Sequence, residues 1–185
     1  MLNVQSTPLK GLYIIEPETQ HDIRGCERNG FHPTEYAAFG LTGRFSSDKF
    51  IRGFQGCVRG LYILPSERHM LLTLIRGDLT IVAMDTRPQS RHFGKMHMVD
   101  VSDAHNHQVY ISGGLTYGVC VRGECADWNE KFATVMDDSL QEGIYCKDEE
   151  LNIHWPIKFP LISERDSGFP TLRQHVATYQ PATVK

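Results

Sequence analysis

Apolar residues alternate with polar ones, or gather in short runs, over segments 11–15, 56–64, 70–75, 79–84, 95–101, 108–111, 118–121 and 130–135. Segments of this length, bounded by glycine, proline, aspartate and asparagine, predict strands joined as antiparallel hairpins. Arg76-Gly77-Asp78, between two apolar runs, predicts one of the hairpin turns. Segment 34–39 is the short helix expected before the last third. Many short strands with glycine-rich turns predict an all-β chain folded as a sandwich or jelly-roll barrel, with short peripheral helices. Around Trp155 the pattern changes, because Pro156 and Pro160 forbid a central strand, so an ordered C-terminal wrap is expected there. Beyond Pro170 the chain turns polar, and 180–185 are expected to fray.

The 185 residues contain no linker or shift of composition, which predicts one domain over 1–185, with its core at about 11–166 and a tail at 171–185. A net charge of −3 argues against nucleic acid, whose partners carry a clustered basic face. The apolar run Leu71 to Ile75 is far shorter than a membrane helix requires, and the first residues show no basic segment followed by an apolar one, so neither a membrane span nor a secretory signal is expected. Five cysteines, at irregular spacings and without a C-x-x-C pair, fit free thiols in a reducing cytoplasm. Cys57 and Cys120 read as small buried side chains, and Cys26 as lying in a polar loop. His105 and His107 have a spacing that puts two ligands on one face of a strand, but no glutamate follows where a third ligand belongs, and no metal is expected. His92 and His97 read as ordinary surface or sheet-face histidines.

Ile15-Glu16-Pro17, Asp22-Ile23-Arg24-Gly25, Arg59-Gly60-Leu61, Arg76-Gly77-Asp78, Val82-Ala83-Met84-Asp85-Thr86-Arg87, Phe93-Gly94-Lys95, Gly143-Ile144, Ile153-His154-Trp155-Pro156 and Leu161-Ile162-Ser163-Glu164-Arg165-Asp166 stand in one order along the chain. Together they resemble the dTDP-4-dehydrorhamnose 3,5-epimerase family. The resemblance implies a cupin-like jelly-roll barrel, a homodimer that shares strands, a pocket for a small molecule inside the barrel, and neither metal nor bound cofactor. In that family a proton is removed beside a ketone and returned from the other face. The resemblance implies a histidine base steadied by an aspartate, a tyrosine acid, and a lysine and second histidine beside the oxygen that becomes an enolate. Here the base position is Tyr62, the acid position Glu130, the lysine position Met70 and the second histidine position Tyr117. Asp166 matches the carboxylate that pairs with the base, and Asp85 an acidic position at the end of a central strand. Arg24 and Arg59 match diphosphate contacts, and Arg165 stands where the family often has lysine. The base-reading positions become Asn29 and Ser47, and the stacking aromatic becomes Met136.

A tyrosine, with an ordinary pKa of about 10, is a poor base at neutral pH, whereas a carboxyl enclosed in an apolar barrel is raised toward neutrality. Glu130 is therefore the candidate acid or base, with Tyr62, held by Asp166, and Tyr117 polarising a carbonyl. The opposing reading leaves Glu130 facing solvent, paired with Lys131 or Arg122. His69, beside Met70, is a further candidate for the substrate site, or a surface-turn histidine. Three functions follow. One is a metal-free isomerisation, cyclisation or dehydration of a small carbonyl-bearing biosynthetic intermediate. A second is a nucleotide 4-keto-sugar epimerase of unusual specificity. The third is a non-catalytic ligand-binding barrel.

Overall fold

A computed structural model describes residues 2–41, 45–135 and 141–179. Two antiparallel sheets face each other. The larger runs in the order β1 (Asn3–Ser6), β2 (Leu12–Glu16), β10 (Gln108–Ile111), β7 (Met70–Arg76), β12 (Cys125–Phe132), β5 (Ser47–Phe54). The smaller runs β6 (Val58–Ile63), β11 (Thr116–Val121), β8 (Asp78–Met84), β9 (Met96–Ser102). A separate hairpin pairs β3 (Thr19–Asp22) with β4 (Gly25–Arg28). The core between the sheets holds Leu72, Leu74, Ile81, Val99, Val119, Trp128 and Phe132, all buried. Fully burying a side chain of this size stabilises the fold by roughly 1.5–3 kcal/mol.

Seven expected strands coincide with β2 and β6 to β11, and the turn at Gly77 is present. Gly77 has φ 91°, and a Cβ there would lie 2.3 Å from the Cys125 carbonyl oxygen, so the turn requires glycine. The expected strand at 130–135 is instead Cys125–Phe132. Strand β1 is polar and at an edge, and β5 carries its apolar Phe50 and Phe54 on the outward face, so neither shows an inward apolar stripe. The short helix α1 (Pro33–Ala37) lies near 34–39, and its Tyr36 packs in a second cluster with Leu2, Ile15, Leu71 and Tyr110.

The C-terminal wrap is present. Ile144, Cys146 and Leu151 are buried with Val58, Leu61 and Cys120 of the smaller sheet, and Trp155 packs against them. Backbone hydrogen bonds sew the wrap to β6: Ile144 N–H donates to the Leu61 carbonyl at 2.9 Å and Val58 N–H to the Leu161 carbonyl at 2.9 Å. The wrap ends in α2 (Glu164–Ser167) and α3 (Leu172–Thr178), each capped at its start, by Ser163 and by Thr171. Residues 180–185 lie outside the described residues. The five cysteines are unpaired: Cys120 and Cys146 are buried, Cys57 is partly buried and Cys26 is exposed. Among the described residues no helix is long and apolar enough to cross a membrane.

Candidate active site

Strand periodicity decides where Glu130 points. Ala126, Trp128, Glu130 and Phe132 alternate along β12 and are all buried on the side of the core, so the carboxyl enters the barrel. Glu130 is only 4% exposed. The solvent-facing alternative is excluded, because Lys131 pairs with Asp48, and Arg122 lies within ion-pair distance of Asp78 and Asp100. Trp128 Nε1–H donates to Glu130 Oε1 at 3.0 Å, and the Tyr117 hydroxyl donates to Oε2 at 3.3 Å. Burial pushes the carboxyl above its ordinary value, while the bond from Trp128, the nearby Lys49, the bond from Tyr117 and the Arg59 charge pull the other way. The result is a carboxyl able to give or take a proton closer to neutrality.

Arg59 and Tyr62 are three residues apart and in a regular strand would face opposite sides. A bulge in β6 changes this: Tyr117 pairs with Tyr62 and Gly118 with Gly60, leaving Leu61 unmatched. Leu61 then packs beneath the sheet, while both Arg59 and Tyr62 line the cleft. Gly60 has φ 104°, and a Cβ there would meet the Tyr117 carbonyl oxygen at 2.7 Å.

The Tyr62 hydroxyl donates to Asp166 Oδ2 at 2.9 Å and accepts from Arg165 Nη2 at 2.8 Å. Asp166 also accepts from the Gly60 N–H at 3.0 Å and from Arg165 Nε at 2.9 Å. Burial, then the Asp166 charge, raises the phenol well above its ordinary value, so Tyr62 stays protonated and does not act as a base. Its proton is directed at Asp166, which leaves Tyr62 as a wall of the cleft whose ring packs edge-on against Tyr117 at 5.7 Å.

The cleft lies where β5 and β6, edge strands of the two sheets, part. Its lining is Lys49 and Ile51 from β5, Arg59 and Tyr62 from β6, Tyr117 from β11, Glu130 and Phe132 from β12, with Gln141 and Arg165. Its volume of about 60 Å³ admits a few non-hydrogen atoms, such as a carbonyl and its neighbouring carbon, with the rest of a larger ligand outside the rim. Arg59 Nε is buried without a hydrogen-bond partner. Sequence reasoning missed Lys49, Trp128 and Gln141. The alternation of β5 points the wrong way for Lys49, because Phe50 and Phe54 occupy the outward face while Lys49 shares the inward one with Ile51 and Gly53.

Other expected site residues lie elsewhere. Asp85 is buried, but its carboxylate closes the loop after β8, accepting from Arg87 Nε at 2.9 Å, Arg87 Nη2 at 2.7 Å and the Ser90 hydroxyl at 2.6 Å. Burial opposes its ionisation, yet these bonds outweigh burial and leave it below the ordinary carboxylate value, so it is not a proton carrier. Met70 is a core side chain, fully enclosed between the sheets. His69 Nδ1 accepts from the Gly113 N–H at 3.1 Å and its ring stacks on Tyr110, while burial lowers its pKa; it is a structural histidine. Arg24 is exposed at the tip of the β3–β4 hairpin, where its Nε donates to Asp22 at 2.9 Å. Asn29 and Ser47 do not line the cleft, and Met136 lies outside the described residues. The His105 and His107 rings stack at 5.6 Å, and no metal-holding cluster occurs among the described residues.

Fold and cleft together define a cupin-like jelly-roll barrel with its polar groups gathered at an open seam. The chain belongs to the dTDP-4-dehydrorhamnose 3,5-epimerase family, whose model matches residues 6–174. It is 30% identical over 168 residues to a dTDP-4-dehydrorhamnose 3,5-epimerase of Shigella flexneri, covering 89% of this chain and 93% of that one. Among solved structures, the Legionella pneumophila dTDP-6-deoxy-D-glucose-3,5-epimerase in complex with dTDP-4-keto-L-rhamnose superposes over 100% of both chains, with TM-score 0.91 and 28% identity. NovW of Streptomyces spheroides, a 4-keto-6-deoxy sugar epimerase from the novobiocin biosynthetic gene cluster, gives TM-score 0.88 and 25% identity over 96% of this chain and 90% of that one.

Proposed function

We propose that the chain acts on a nucleotide-linked 4-keto-6-deoxy sugar and moves a proton at one carbon beside the ketone, with Glu130 as the group that carries it. The observation behind this reading is the buried Glu130 carboxyl, raised by its enclosure and facing a cleft with Lys49, Arg59 and Arg165. Glu130 as carboxylate takes the proton from carbon, and the C–H electron pair becomes the enolate as the carbonyl π electrons move onto oxygen. Proton return reverses both shifts. Arg59, a planar fork of donors with a buried unpartnered Nε, suits a diphosphate group. Because Tyr62 is committed to Asp166 and stays protonated, Glu130 is the group in the cleft left to take the proton.

Similarity to the sugar epimerases supports this reading over cyclisation or dehydration of another carbonyl compound in secondary metabolism. It also supports it over a non-catalytic barrel, for which a buried carboxyl at a cleft has no evident purpose. In D2O, dTDP-4-keto-6-deoxyglucose is expected to gain one deuterium beside the ketone, and millimolar dTDP to raise the melting temperature by linkage. Absence of both the label and the shift would remove the proposal.

A homodimer is part of this reading. Edge strand β5 presents Phe50 and Phe54 outward, 76% and 67% exposed, an apolar edge of the kind that pairs with another chain. Arg24, outside its own chain's cleft, would join a site only across such an interface. Phe50→Asp is expected to convert a dimer to a monomer by equilibrium sedimentation; a native chain that sediments as a monomer at all concentrations tested would contradict the pairing.

A further inference from the structure

Removing a proton beside a ketone places negative charge on the carbonyl oxygen, and a desolvated site needs a cation or donor at that oxygen. Among the described residues, three cationic side chains line the cleft: Lys49, Arg59 and Arg165. Arg165 is held at two atoms, by Asp166 and by the Tyr62 hydroxyl, and its guanidinium lies over the Tyr62 ring at 5.3 Å. Arg59 reaches the cleft from the opposite sheet. Lys49 stands directly across from Glu130 in the β5–β12 ladder. Directly opposed residues share a face with Cβ atoms about 4.5–5.5 Å apart. Their neighbours Asp48 and Lys131 pair on the other face, so the inward pair is set by strand alternation.

We propose that Lys49 is the cation of the reacting centre, its ammonium placed by β5 to take the carbonyl oxygen as Glu130 removes the adjacent proton. This rests on the proposed sugar chemistry and adds a second catalytic residue to it. Proton, carbon and charge balance within the pair and the substrate: Glu130 gains the proton, oxygen gains the negative charge, and both return when the proton goes back. A lysine suits the task because its charge is compact and rides on a four-carbon stem that can follow the oxygen. The groups facing Glu130 are Lys49 from β5, Arg59 and Tyr62 from β6, Tyr117 from β11, Trp128 from its own strand and Arg165 from α2, with apolar Leu72 opposite it in β7. The Lys49 charge also holds the Glu130 carboxyl lower than burial alone would leave it.

The test compares Lys49→Met and Lys49→Arg in the full chain, measuring deuterium uptake by saturating dTDP-4-keto-6-deoxyglucose and the affinity for dTDP. Lys49→Met is expected to slow uptake about 10²–10³-fold with dTDP affinity changed less than about threefold, and Lys49→Arg to recover at least about tenfold of that loss. A Met variant that exchanges at the native rate once saturated, but binds dTDP poorly, would overturn the proposal and make Lys49 a phosphate contact. Should the native chain exchange no proton on this sugar, the sugar reading fails by itself. The pair is then judged from the 13C carboxyl signal of Glu130, whose titration must move upward in Lys49→Met; an unmoved titration overturns the pair as well.

Discussion

Glu130→Gln is expected to slow proton exchange on the sugar about 10²–10⁴-fold, the usual contribution of a positioned acid or base. The amide is nearly isosteric. Its oxygen still accepts from Trp128 Nε1, and its NH2 can donate to the Tyr117 oxygen, so the loss is chemical and not structural. Stability should move the other way. The carboxyl is raised above its ordinary value of 4.5 by burial, so the folded chain binds the proton more tightly than the unfolded one. The associated stability is fully present below the unfolded value and is lost as pH rises through the folded value. At neutral pH the native chain therefore carries a cost that Glu130→Gln lacks, and the variant should be the more stable of the two, by a margin that shrinks as pH falls toward 4.5. Urea unfolding at both pH values checks the sign. Native exchange rates in Glu130→Gln would remove Glu130 from the chemistry, and a margin independent of pH would show that its carboxyl is not shifted.

The sheets are largely legible in the sequence because most strands have a packed face, which leaves an alternating or continuous apolar trace. Strand β5 is the instructive exception. Its inward positions include Lys49 at the cleft and its outward positions include Phe50 and Phe54, so the strand that forms one wall of the site carries an inverted pattern. The approach of Arg59 to Tyr62 is hidden for another reason, since it depends on the unmatched Leu61, and a bulge of one residue changes which side chains share a face without altering composition. Glu130 and the Tyr62–Asp166 contact are readable from motif resemblance, yet only the register of β12 against β5 and β7 shows that the carboxyl turns inward. Asp85 misleads for a local reason. A buried acid at a strand end has the look of a reacting group, but Arg87, two residues on, takes both of its oxygens. Met70 misleads because the resemblance aligns it with a lysine of the site, whereas its apolar side chain joins the core.

Asp166→Ala should produce the second large effect, this time on stability. Asp166 is 2% exposed and accepts from the Gly60 N–H, the Tyr62 hydroxyl and Arg165. Alanine leaves the first two as buried donors without partners, each costing about 1–3 kcal/mol, for a total of about 2–6 kcal/mol. In a chain of this size that corresponds to a fall in melting temperature of roughly 4–24 °C. Arg165 contributes less to the loss because its side chain is 45% exposed and water can take its donors. The wrap should also loosen, since Asp166 is the link by which α2 holds the bulged turn of β6, where Gly60 and Tyr62 are its partners. Protection of the Gly60 amide from hydrogen exchange is expected to fall in the variant by more than that of amides in β7. Tyr62→Phe separates the terms: it removes one of the two donors that Asp166→Ala orphans, so the double variant should be less destabilised than the sum of the single ones. Strict additivity, or an Asp166→Ala chain within about 0.5 kcal/mol of the native one, would show that the Asp166 hydrogen bonds do not hold the cleft wall in place.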